Sequence, residues 1–154
     1  MERIILVVAV ALIGAQPALG QTKPDSMFHA MQMRGRIVMG VDQYTSSHKF
    51  ESLPDGGRIE LQRDVEDARG ASVIRQHLAA IAKAFAKGDF TAPAVVHMKD
   101  VAGAAEMTAR KTLIRYHYKE LKRGGEIRIE TRDPEAVRAI HAFLAFQRSE
   151  HHAH

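Results

Sequence analysis

Regular patterning of apolar and polar residues begins at Gln43. His48, Phe50 and Ser52 alternate with polar residues, the period of a strand half-buried in a sheet. Pro54-Asp55-Gly56-Gly57 reads as a turn. Ile59 and Leu61 then alternate with Arg58, Glu60 and Gln62, which predicts a second strand and so a hairpin. The stretch from Asp64 to Asp67 supplies acidic residues suited to a helix start. Ile74, His77, Leu78, Ile81 and Phe85 follow at helical spacing as far as Gly88. Beyond Pro93, Val95 to Lys99 reads as a short strand, and Gly103 opens a loop or short helical turn that carries Met107. Leu113 to Leu121 predicts a strand, Gly124-Gly125 a turn, and Glu126 to Thr131 the returning strand. Asp133 as N-cap and Pro134 in the first helical position open a second helix with the stripe Val137, Ile140, His141 and Leu144.

The two hairpin–helix units resemble one another. A shift of 68 positions carries Phe50 onto Tyr118, Leu53 onto Leu121, Gly56-Gly57 onto Gly124-Gly125 and Ile59 onto Ile127. Each helix then carries one histidine on its apolar stripe, His77 and His141. An internal duplication accounts for the match, as do two hairpins that arose independently. Either origin predicts an α+β fold, an antiparallel sheet of about five strands with two helices on one face.

Ahead of this domain the chain opens with Met1-Glu2-Arg3, an apolar run from Ile4 to Ala15, and Pro17-Ala18-Leu19-Gly20 before Gln21. A short basic start, an apolar centre and a small-x-small end describe a secretory signal peptide over residues 1–20, cleaved after Gly20. The run is too short to span a bilayer, so stable membrane insertion after cleavage is not expected. Residues 21–42 read as a mobile Met-containing arm, 43–148 as a single α+β domain, and 149–154 as a His-rich tail. The expected location is the periplasm or the exterior.

Composition narrows the chemistry. With 45% of its 154 residues apolar, the chain can bury a core, which excludes wholesale disorder. Cysteine is absent, so disulfides, thiolate metal sites, thiol nucleophiles and a lipoprotein anchor are excluded. The net charge of +4 is spread along the chain with no basic run, and tryptophan is absent, so nucleic acid is not an expected partner. No Gly-x-Ser-x-Gly elbow or His-Glu-x-x-His motif occurs, and neither Gly-Gly pair leads directly into a helix as a phosphate loop would. No catalytic residue is assigned.

The segments Gly40-Val41-Asp42-Gln43, Thr45-Ser46-Ser47-His48-Lys49-Phe50, Ile74-Arg75-Gln76-His77-Leu78 and Gly88-Asp89-Phe90 resemble those of an uncharacterised exported bacterial family. Pro93, His97, Gly103, Met107, the run from His141 to Gln147 and His151 continue the likeness, which covers almost all of the chain after the signal peptide. The resemblance implies no activity. It implies that His48, His77, His97, Met107, His141 and His151 are family positions. Lys49 stands where the family tends to have a second histidine, and Ala102 where it has proline.

Nine histidines and seven methionines remain to be explained. Imidazole and thioether together are a ligand set for copper, and imidazole alone also suits zinc. His77 and His141 lie within apolar stripes, where a buried imidazole needs partners, and His48 lies on the inward side of a strand beside Phe50. Three inward imidazoles could converge on a metal ion, and a loop could bring His97 and Met107 to the same place. The alternative for each histidine is a hydrogen-bonded structural role, and for Met107 a core filler. His117, between Tyr116 and Tyr118, is expected to face solvent. Met27, His29, Met31, Met33 and Met39 in the arm suit Cu(I) thioether chemistry or are chance residues of a linker. The expected function is an exported metal-binding protein, copper before zinc, in metal handling or resistance. Its metal ligands are sought among His48, His77, His97, Met107, His141 and His151. The alternatives are a non-metal interaction module with structural histidines and a small metal-dependent enzyme. The pattern leaves open whether the protein forms a homodimer.

Overall fold

The computed structural model of the chain describes residues 24–40 and 43–151. The expected signal peptide and the last three residues of the expected tail lie outside the described residues. Helix α1 (Pro24–Met39) leads into strands β1 (Ser46–Leu53) and β2 (Gly56–Arg63) and helix α2 (Ala68–Ala86). Two short helices, α3 (Thr91–His97) and α4 (Ala104–Ala109), precede β3 (Ile114–Leu121), β4 (Gly124–Thr131) and α5 (Pro134–His151). The architecture is α+β, one antiparallel sheet in the order β1-β2-β4-β3. Helix α2 lies on β3 and β4 and α5 on β1 and β2, so both cover the same face. Among the described residues no helix is long and apolar enough to cross a membrane.

Four strands replace the expected five. Val95 and Val96, which suggest a strand, lie inside α3. The Asp89 carboxylate accepts from the Thr91 amide at 2.9 Å and starts that helix, overriding the β-branched pair. The segment expected as an arm contains α1, which docks through Met31 and Met39, 4% and 9% exposed. α5 likewise continues into the expected tail and ends at His151.

The hairpins match at the backbone. Adding 68 carries β1 onto β3 and β2 onto β4 end to end. Ile59 pairs with Ile127, its own counterpart, so a local two-fold axis passes between them at the centre of the sheet. A Cβ on Gly56 would stand 2.2 Å from the Ile129 carbonyl oxygen, and one on Gly124 would stand 2.0 Å from that of Leu61. These are equivalent contacts, since Ile129 is the counterpart of Leu61. The glycines are therefore required by the close approach of β2 and β4.

The helices follow with a shift of 66 instead. The loop before α5 is two residues shorter than the loop before α2. Asp67 caps α2, accepting from Gly70 N at 3.0 Å, and Asp133 caps α5, accepting from Ala136 N at 2.7 Å. Ile74 then corresponds to Ile140 and Leu78 to Leu144, all essentially inaccessible. His77 corresponds to Phe143, not to His141 as the repeat in sequence suggests. The two hairpin–helix units pack their helices crosswise, each on the other's edge strand. Phe85, Ile127, Ile129, Ile140, Phe143 and Leu144 form the centre of the core.

A histidine-lined cavity as the candidate functional site

Alternation along β1 turns His48 and Phe50 to the helix-covered face, where their rings stack with centroids 5.6 Å apart. The stripe of α2 brings His77 to the same place. α3 ends on His97, whose side chain is 1% exposed, and α5 ends on His151. These four histidines, from four elements, line one cavity of about 80 Å³. That is room for several water-sized groups. The His48 and His151 rings stack at 4.9 Å, and His97 meets His151 edge-on at 5.1 Å. The rest of the wall is mainly apolar, with Met39 and Gln147 among its members.

Burial favours the neutral form of His48, His77 and His97. Burial, and after it the neighbouring His77, lower the His48 pKa to about 4. Burial likewise lowers His77. For His97, burial outweighs the opposing effects of Gln147 and the Glu150 carboxylate. Neutral imidazoles offer lone pairs for coordination, or one donor and one acceptor each.

Polar atoms in the wall are incompletely satisfied. His97 Nε2 lies 3.1 Å from Gln147 Oε1. His97 Nδ1 and Gln147 Nε2 are buried without a hydrogen bond, although Glu150 Oε2 lies 3.7 Å from that Nδ1. A buried orphan of this kind is costly and awaits a partner. Among the described residues, no group of three or more histidine, aspartate and glutamate side chains is placed to hold a metal ion.

The other expected ligands are elsewhere. His141 Nε2 donates to the Leu53 carbonyl at 2.8 Å, outside the cavity wall. This is the hydrogen-bonded role weighed as its alternative. Met107 is completely buried in the core. His117 faces solvent, 3.3 Å from Glu130. Lys49 is also exposed, 3.7 Å from Glu60 on the opposite face from His48, so a change at position 49 leaves the cavity wall intact. Gln147 carries no ligand signal of its own in the sequence, although Phe143, Gln147 and His151, each four apart, mark one face of α5.

The two-fold axis supplies an internal control. His48 corresponds to Tyr116 by the strand shift, and His77 and His151 correspond to Phe143 and Phe85 by the helix shift. In the second half, Phe85 packs against Tyr116 at 6.0 Å and against Phe143 at 5.6 Å, an ordinary aromatic cluster. The first half has imidazoles at all three places. Comparison with protein-family models, curated proteins and solved structures gave no match.

Proposed function

We propose that the chain is an exported metal-binding protein, with copper preferred to zinc, that serves in metal handling or resistance. One observation carries this reading. Three imidazoles replace an aromatic trio that the same fold packs in its other half, and a fourth, His97, joins them from α3. Packing therefore does not require histidine there, while burying neutral imidazoles has a cost. A metal ion would give the buried His97 Nδ1 a partner. Met39 adds a thioether to the same wall. Soft sulfur beside imidazole favours Cu(I), which accepts low coordination numbers, over zinc, which gains little from thioether. Rotation of the stacked His48 and His151 rings within the cavity would turn nitrogens toward a shared ion.

A second reading has one observation in its favour. The mainly apolar wall suits a small apolar ligand, with His97 and Gln147 fixing its polar end. This is the non-metal binding module.

The control residues provide the test. The triple variant His48→Tyr, His77→Phe, His151→Phe installs the side chains of the other half and should stay folded. In competition with a chromogenic Cu(I) chelator, the wild type should take up the ion, and the variant should bind it at least ~100-fold more weakly. Equal affinity in the two proteins, or no uptake by the wild type, would leave the apolar-ligand reading in its place.

A further inference from the structure

A second cavity, of about 450 Å³, lies between α1 and the ends of α3 and α5. Met27, Met31 and Met98 line it, together with His97, Lys99 and Glu150. Met27 and Met98 are each 72% exposed, while Met31 is 4% exposed. His97 is common to both cavities and is the wall between them.

Packing does not explain Met98. It caps α3 in the left-handed region, at φ 55° and ψ 33°, the one non-glycine residue with positive φ among the described residues. Glycine is the usual residue for that position, and an exposed methionine gains little from burial there. An exposed thioether held at positive φ, lining one groove with two others, points to a function for the sulfur.

We propose that this groove is the entry site for Cu(I), where thioethers capture the ion and release it to His97. The inference rests on the reading of the histidine cavity as a copper site. Exposed thioethers hold the soft ion, and the imidazoles of the half-buried cavity then replace them as ligands. The ion remains Cu(I) throughout, and only ligands exchange. Lys99 Nζ is paired with Glu150 at 2.8 Å and Arg34 donates to the Val96 carbonyl at 2.7 Å, so Glu150 is already engaged. Coordination to sulfur does not need a carboxylate.

The experiment uses the full chain labelled at its methionine methyl carbons, with Cu(I) supplied as its acetonitrile complex. The methyl signals of Met27, Met31 and Met98 should shift, while that of core Met107 stays in place. They should also shift in the His48→Tyr, His77→Phe, His151→Phe variant, since the groove does not need the filled cavity. Loading of the cavity should slow about tenfold in Met27→Leu, Met98→Leu, with final occupancy unchanged. Met98→Gly, which relieves the backbone strain, should slow loading when paired with Met27→Leu in the same way. Silent Met27 and Met98 signals in a wild type that still loads copper would overturn the entry site and leave the cavity reading standing. Shifted methyls with undiminished loading in both double variants would overturn the transfer role. Shifted methyls in a wild type whose histidines take no copper would overturn the cavity reading and the transfer step with it.

Discussion

Burial holds the His48 imidazole at a pKa of about 4, against 6.5 for the free side chain. Between those values the unfolded chain binds a proton that the folded chain does not, so stability falls as pH falls. The contribution is complete above about pH 6.5 and is lost progressively toward pH 4, with a ceiling on the order of 3 kcal/mol for His48. His77 and His97 are shifted in the same direction and steepen the loss. Urea unfolding at pH 7 and at pH 4.5 should show this decline, and His48→Tyr should flatten it. An equally steep decline in that variant would place the acid sensitivity elsewhere. His141 behaves differently. Its Nε2 donates to Leu53, so His141→Ala should cost about 1–2 kcal/mol and leave metal uptake unchanged. Loss of uptake in a folded His141→Ala protein would return it to the site.

Strand geometry makes a second class of prediction. The Cβ of alanine at position 124 would stand 2.0 Å from the Leu61 carbonyl oxygen, where backbone must move. Gly124→Ala should therefore destabilise by roughly 3 kcal/mol, as overpacking against rigid structure does. Gly56→Ala should cost at least as much, because φ 141° adds backbone strain to its own close contact. Thermal melts of the two variants decide this, and a wild-type Tm in either would show that the central strand pair can part without loss. The hairpins and the first turn of α5 were legible from alternation, glycine pairs and the Asp133-Pro134 start. The short helix α3 was not, because two adjacent valines outweigh a single Asp89–Thr91 hydrogen bond in a seven-residue segment. Docking of α1 was also hidden, since its few apolar anchors sit among polar residues and only tertiary contact makes them a core.

At the scale of the molecule, the pairing of helices decides which histidines meet. The sequence repeat sets His77 against His141, since each is the single histidine on its stripe. The loop before α5 is two residues shorter, where four would be needed to match His77 with His141, so His77 corresponds to Phe143 and His141 turns toward the β1 end at Leu53. His48, His77, His97 and His151 come together because α5 crosses onto β1 while α3 closes from the side. That crossing is a property of the whole sheet and cannot be read from one strand or helix. Met107, completely buried, is a core residue in this arrangement. Met107→Leu should cost less than about 1.5 kcal/mol and leave copper affinity as it is. Weakened Cu(I) binding in that variant would draw the site toward α4.

Nitrogen-15 spectra of the histidine rings, recorded with and without one equivalent of Cu(I), test the central claim most directly. Ring nitrogens of His48, His77, His97 and His151 should shift on addition of the ion, with His117 and His141 unmoved as internal references. Shifts confined to His117, His141 or the terminal histidines, with the four cavity imidazoles unchanged, would contradict a metal site in this cavity.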